Sequence, residues 1–510
     1  MLSKIKSYGL RGLDGFEVEI EVDINAGLPK MDIVGLADTA IKESKERVKS
    51  AIKNTALKFP IGALTVNLAP ADQKKEGPIY DLGIAVGILT ATDQISYKKI
   101  KDFMFLGELS LDGSVRKING VMPILISAKQ HGQTKFIIPF ENRLEASFIE
   151  GIEVYAVKTL KEVFDFFEND LQLEKVETTS FEEISKQITN PNDFKFINGQ
   201  EVAKRALEIA AAGGHNVIMI GPPGSGKTML AKAFPTILPD LTFEEALEVT
   251  KIHSIAGTLD SEKGIITQRP IRSPHHTATA IALTGGGTKA KPGEISLAHN
   301  GVLYMDELPE YSRHLLETLR QPLEDGVITV ARASQTVEYP ANFILIASMN
   351  PCPCGHYGSK KVQCKCTPTQ IHKYLSKLSG PLMDRIDLHM EVDSVEYGDL
   401  VTTRDNECSA DIKARVDRAR KIQLERYRGT KVFSNAKMTT AMSKKYCKLD
   451  QESENLLKNA FDKLNLSARA HNRILKVART IADLDGKENI ELDHVAEAIQ
   501  YRSLDNKYWI

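Results

Sequence analysis

The segment Gly221-Pro222-Pro223-Gly224-Ser225-Gly226-Lys227-Thr228 constrains this chain more than any other. It follows the apolar run Val217–Ile220 and precedes the helical segment Met229-Leu230-Ala231-Lys232, the strand, loop and helix order that a phosphate-binding loop requires. Its glycines let backbone N–H groups wrap the phosphates of a nucleotide, Lys227 reaches the β and γ phosphates, and Thr228 offers a hydroxyl to Mg²⁺. A loop of this kind sits at the end of a buried parallel strand, and two further apolar runs supply neighbours for it. Val302–Met305 ends in Asp306-Glu307, and Phe343–Ser348 runs into Met349-Asn350. Open α/β sheets bind ligands at such carboxyl ends. There Asp306 is expected to hold the Mg²⁺ hydration shell, Glu307 to orient and polarise the attacking water, and the Asn350 amide to bond the γ phosphate or that water. Seen alone, the acidic pair also suits a solvated turn, and the asparagine a turn former.

At 510 residues the chain exceeds what one hydrophobic core holds. Residues 1–168 read as a mixed α/β unit. Phe16–Val22 alternates like a half-buried strand, and Ile41–Leu57 has helical spacing. Residues 169–192, rich in Glu, Thr, Ser and Asn, suit a linker. Residues 193–393 alternate helical patterns with short apolar runs, the pattern of a parallel sheet between helices, and 394–510 read as an α-helical lid. A formal net charge of -1 excludes a uniformly basic coat but leaves room for a local basic stripe. No stretch of about 18 apolar residues occurs and the first residues lack an apolar signal core, so the expected location is the cytoplasm, with no membrane partner.

The three strand ends, in this order, resemble the AAA+ ATPases. The resemblance implies ATP as the nucleotide, the sensor 1 position for Asn350, and a site completed by an arginine from a neighbouring subunit. Gly380-Pro-Leu-Met-Asp384-Arg385-Ile-Asp387 resembles the segment that carries this arginine. Arg385 is therefore the candidate finger, and local pairing with Asp384 or Asp387 is the alternative. Ser467-Ala-Arg469-Ala-His-Asn-Arg473 resembles the sensor 2 region, with Arg469 ahead of Arg473.

A closer resemblance runs along the whole chain. Gly199-Gln200-Glu201 through Gly214-His215-Asn216, Arg272-Ser-Pro-His275-His276-Thr277 and Asn350-Pro-Cys-Pro-Cys-Gly355 are similar to segments of the ComM/YifB group of magnesium-chelatase-like bacterial proteins. The resemblance implies a P-loop α/β core with a parallel sheet, a Lon-protease-like N-terminal α/β domain and a C-terminal helical lid. It also implies a homohexameric ATPase that acts on single-stranded or branched DNA, as a helicase and branch-migration motor supporting natural transformation. Within the Lon-like region, Lys75–Ile79, Gly107–Gly113 and Lys135–Pro139 carry the likeness. Proteolysis there needs a serine and a lysine, but the corresponding positions are Ile79 and Ile124. The expected role is binding or assembly.

Four of the six cysteines fall within fifteen residues, as Cys352-Pro-Cys354 and Cys364-Lys-Cys366 in an insert at 350–367. Two C-x-C pairs suit a four-thiolate zinc knuckle; ordinary buried thiols are the alternative. His275 and His276 are expected to point in different directions, with no Cys or acid in the loop 274–287 to complete a metal site, so a DNA or pore contact is expected. Lys289 and Lys291, in a glycine-rich loop, and Arg332, in a hairpin-like stretch over 327–339, are candidates for the same contact, against ordinary solvated loops. Two other functions remain open on these residues: a chelatase motor acting on a tetrapyrrole, and a nucleotide-gated scaffold.

Overall fold

The computed structural model describes residues 2–185, 192–287, 290–331, 336–359, 362–394, 406–464 and 466–508. Lys289 and Arg332, named above as candidates for a DNA or pore contact, lie outside them.

The N-terminal region is built on a seven-stranded mixed sheet in the order Lys30–Val34, Ala63–Ala69, Asp14–Asn25, Leu2–Arg11, Phe103–Phe105, Lys135–Pro139, Glu153–Val157. Val18, Ile20 and Val22 are buried while the intervening glutamates stay outside the core, so the period-two pattern reports the pleat directly. The expected helix forms over Thr39–Asn54. Asp38 starts it by accepting the Ile41 N–H, and Ile41, Ser44, Val48, Ala51 and Ile52 form its buried face. Beneath it, every residue of the helix Asp81–Ala91 is buried. Burial pushes the Asp81 carboxyl up, against hydrogen bonds from Arg47 and Ser44. The stretch expected as a linker carries a short helix, Phe181–Ser185, and the Phe181 ring lies 5.7 Å from that of Phe243.

The second sheet has five strands, all parallel, in the order Ile271–Arg272, Val302–Met305, Ile344–Met349, Val217–Ile220, Leu388–Glu391. The three strands expected from their apolar runs are buried almost throughout and lie side by side. Ile220 pairs with Met349, so these two strands end level, while Met305 pairs with Ala347 and its strand ends two residues short of Met349. Leu388–Glu391 completes the edge beside Val217–Ile220. Val327–Ala331 and Thr336–Pro340 form the expected antiparallel hairpin.

From Ser409 onward the described chain is helical, with main helices Ser409–Arg426, Gln451–Lys463, Ala468–Leu484 and Leu492–Gln500. Ile412 and Val416 from the first, and Val477, Ala478 and Ile481 from the third, share one core with Leu207, Ile209 and Ala210 of the helix Glu201–Gly213. No helix among the described residues is long and apolar enough to cross a membrane.

A buried polar network joins sheet to lid. His215 Nε2 lies 2.8 Å from Thr480 Oγ1, and its Nδ1 lies 3.4 Å from Asp387 Oδ2. Asp387 also accepts the Asn216 N–H at 3.0 Å and pairs with Arg473. Burial works against its charge, yet Arg473 and His215 hold the carboxyl well below the usual carboxylate range. A carboxylate depressed in the folded state contributes stability above its unfolded pKa, about 4, and loses it as pH falls. Asp387→Ala should lower stability by about 3–5 kcal/mol, because Arg473 is left uncompensated. Urea unfolding followed by circular dichroism should show this deficit at neutral pH and a smaller one near pH 3. An equal deficit at both would remove the carboxylate's charge from the account.

Candidate functional site

The phosphate loop is shaped by its backbone. The Gly221 N–H donates to Met349 O at 3.1 Å, and a Cβ on Gly221 would lie 2.2 Å from Val392 O, so no side chain fits between the strands there. Gly224 and Gly226 have φ of +75° and +93°, left-handed conformations that favour glycine. Lys227 opens the following helix and folds back under the loop, donating to Gly221 O at 2.7 Å and Pro222 O at 2.9 Å. Its Nζ also lies 3.4 Å from Asn350 Oδ1, at the end of the neighbouring strand. Burial pushes the Lys227 pKa down, and the negative charges of Asp306 and Glu307 oppose that.

Because Met305 pairs with Ala347, the next residues, Asp306 and Ser348, come opposite each other. Ser348 Oγ donates to Asp306 Oδ1, and Thr228 Oγ1 donates to Asp306 Oδ2 at 3.4 Å. Tyr304 OH lies 3.2 Å from Ser348 Oγ and 3.5 Å from Thr228 Oγ1. Asp306 and Thr228 thus present a carboxylate and a hydroxyl together, the oxygen donors a hard divalent cation takes. Ser348 and Tyr304 hold that pair and were missed in the sequence. No signal in the single strands marks them, because it is the pairing of Met305 with Ala347 that sets Ser348 against Asp306.

Glu307 has φ +52°, a left-handed conformation that is strained for a residue with a Cβ. Its N–H donates to Asp306 Oδ1 at 3.0 Å, and its carboxylate stays about half exposed, free to meet a water. His276 Nδ1 lies 3.7 Å from Glu307 Oε2. The expectation that His275 and His276 point apart is corrected. Their rings face each other at 4.1 Å and 33°, because Ala278 N–H bonds His275 O in a turn, where the alternation of an extended strand does not hold. The acid beside His276 comes from another strand end, outside the loop in which an acid was sought.

Lys227, Thr228, Asp306, Glu307 and Asn350 therefore meet at one place. Arg385 and Arg469 belong to another. Arg385 donates to Pro381 O at 2.7 Å and pairs with Glu324, while Arg473 takes Asp387 and Ser467 Oγ donates to Asp384. The local alternative for Arg385, pairing with Asp384 or Asp387, is thus not the arrangement seen. Burial lowers its pKa, and the like charges of Arg469, Arg320 and Arg473 add to the effect. Among the described residues its Nε is buried without a hydrogen-bond partner. Asn216 fixes this segment, donating to Arg385 O at 3.1 Å and accepting the Leu345 N–H at 2.9 Å.

The Sγ atoms of Cys352, Cys354, Cys364 and Cys366 all lie within 4.8 Å of one another. Cys352 is 3.4 Å from Cys354 and 3.7 Å from Cys364, and Cys354 is 3.6 Å from Cys364. A tetrahedral ion with Zn–S bonds of about 2.3 Å needs sulfurs roughly 3.8 Å apart. Amides of Lys365 and His356 pull the Cys354 thiol down to about 6, while burial and the neighbouring sulfurs push Cys366 up. A divalent cation would relieve that mutual repulsion. In the N-terminal region Ile124 is fully buried in the core, and Ile79 is partly buried in a short 3₁₀ turn.

Three family models match in sequence: "magnesium chelatase, subunit ChlI" over 193–400, "subunit ChlI of Mg-chelatase" over 20–142, and "magnesium chelatase, subunit ChlI C-terminal" over 406–502. Competence protein ComM of Haemophilus influenzae is 43% identical over 508 residues, covering 99% of this chain and 98% of the relative. YifB of Escherichia coli is 42% identical over 505 residues, covering 99% and 97%. Lon protease 2 of Bacillus subtilis is 33% identical over 168 residues, 30% of each chain. The chain belongs to the magnesium-chelatase-like AAA+ family, alongside ComM and YifB.

Proposed function

We propose that this chain is an ATP-hydrolysing motor that assembles as a ring, a hexamer, and works on DNA. The observation that carries the reading is the meeting of Lys227, Thr228, Asp306, Glu307 and Asn350 at the ends of three neighbouring strands, with Arg385 held elsewhere. The loop amides and Lys227 bind the β and γ phosphates. Thr228 and Asp306 hold Mg²⁺, which neutralises phosphate charge. Glu307 polarises the attacking water, and Asn350 fixes its position. Phosphoryl transfer also needs positive charge opposite the developing negative charge. Arg385 supplies it to the site of an adjacent subunit, with Arg469 beside it, so that hydrolysis requires assembly. In that role Arg385 exchanges its pairing with Glu324 for the phosphate of the neighbouring site. The four thiols of the insert hold one zinc ion.

The DNA substrate draws support from the competence protein among the relatives and from the contact between the hairpin and the glycine-rich loop. Tyr339 OH, on the hairpin, donates to Ala290 O, in the glycine-rich loop that ends at exposed Lys291. Hairpin and loop act together as the DNA contact, with Lys289 and Arg332 contributing by sequence. The cellular role is branch migration and integration of incoming DNA during natural transformation, in the cytoplasm.

Arg385→Ala subunits should bind ATP but not turn it over. Mixing them with Lys227→Ala subunits should restore part of the activity, since a mixed interface joins an intact loop to an intact arginine. Exchange of subunits without any recovery would place Arg385 in its own site. For the substrate, forked DNA should accelerate ATP hydrolysis, and the unmodified protein should migrate a synthetic four-way junction where Lys227→Ala does not. Binding should weaken steeply with salt and show little sequence preference. Lys289→Ala with Lys291→Ala should weaken it uniformly. ATP hydrolysis by assembled rings that DNA neither accelerates nor couples to migration would redirect the motor to another substrate.

A further inference from the structure

The cysteine knuckle lies directly on the phosphate loop. Gly355 has φ +81°, and a Cβ there would meet the Pro223 ring at 2.5 Å. Two residues on, the Tyr357 N–H donates to the Cys352 sulfur at 3.3 Å, which ties Tyr357 to the thiol cluster. Tyr357 is one wall of a cleft of about 850 Å³ that also borders Pro222 of the loop, Val202, Leu504 and Tyr508. The rings of Tyr357 and Tyr508 meet edge to face at 6.4 Å, and Tyr508 OH is anchored on Glu391 at 2.7 Å.

The order of the sheet tells which end of a nucleotide this cleft would take. Val302–Met305 and Ile344–Met349 lie on one side of the strand Val217–Ile220, and they carry Asp306, Glu307 and Asn350, the groups that serve the γ phosphate. Leu388–Glu391 lies on the other side, and the cleft opens there. A nucleotide with its last phosphate at Glu307 therefore runs across the loop with its base toward Tyr357. A cleft of this size suits a small-molecule site, and the Tyr357 and Tyr508 rings, set among polar residues such as Gln200 and Gln500, offer a planar ring both stacking and hydrogen-bonding groups.

We propose that the cysteine knuckle is a wall of the base-binding half of the nucleotide site, and that a zinc ion on its four thiols holds Tyr357 in place against the base. The inference rests on the reading of Gly221–Thr228 as an ATP loop and of the cysteines as a zinc knuckle. It makes the metal a determinant of nucleotide affinity, acting through the Cys352–Tyr357 bond, although no thiol touches the nucleotide.

The test is calorimetric binding of two probes, ATP and inorganic triphosphate, to the full-length protein, with zinc content measured by elemental analysis. Tyr357→Ala and chelator-stripped protein should each bind ATP on the order of tenfold more weakly, the scale of one aromatic contact, and bind triphosphate unchanged. An unaltered ATP affinity in Tyr357→Ala overturns the inference, and so does an equal loss for ATP and triphosphate, because the effect would then lie in the phosphate loop. A chain isolated without metal that binds ATP at full strength overturns the metal's part in it. Failure of the unmodified chain to bind either probe overturns the ATP reading itself, a result distinct from the others.

Discussion

A parallel sheet delivers its strand ends to one edge, and in this molecule the register of three neighbouring strands places the residues of the candidate nucleotide site. Ile220 pairs with Met349 and Met305 with Ala347. The residues that follow, Gly221, Asn350 and Asp306, are therefore carried to one edge by the main chain before any side chain acts. A shift of one residue between Val302–Met305 and Ile344–Met349 would separate Ser348 from Asp306, and with it the carboxylate from Thr228.

The site and the lid are mechanically joined by a small set of buried polar residues. Asn216 bonds Leu345 on the central sheet and the carbonyl of Arg385, while its neighbour His215 reaches Thr480 on the lid helix and faces Asp387. These contacts link the helix Ala468–Leu484 to the segment that carries Arg385. Such a network is costly to break, so displacement of the lid should draw the arginine segment with it. In the proposed ring, that coupling lets the state of one nucleotide site be felt at the next interface.

Much of this was legible in the sequence. The glycine-rich loop, the acidic pair after Met305 and the amide after Met349 each follow a short apolar run, and a buried parallel strand leaves a strong pattern of that kind. The alternation in Phe16–Val22 and the spacing in Ile41–Leu57 were equally plain, because one face of each is buried. Leu388–Glu391 was not, since a four-residue edge strand with a histidine in it has no clear period. The pairing of His276 with Glu307 and of Arg385 with Glu324 was also hidden: both join residues far apart in the chain that only the packing brings together. The roles of Ser348 and Tyr304 depended on register, which single strands do not reveal.

In the proposed reaction Glu307 polarises the attacking water; its backbone is strained, its carboxylate half exposed, and its amide bonded to the Asp306 carboxylate. The most direct measurement is single-turnover ATP hydrolysis by Glu307→Gln, with ATP binding measured on the same preparation. Glutamine keeps the shape and loses the ability to polarise water, so binding should persist while the hydrolysis rate falls by about 10²–10⁴-fold. Hydrolysis at the unmodified rate, with ATP bound, would contradict the account.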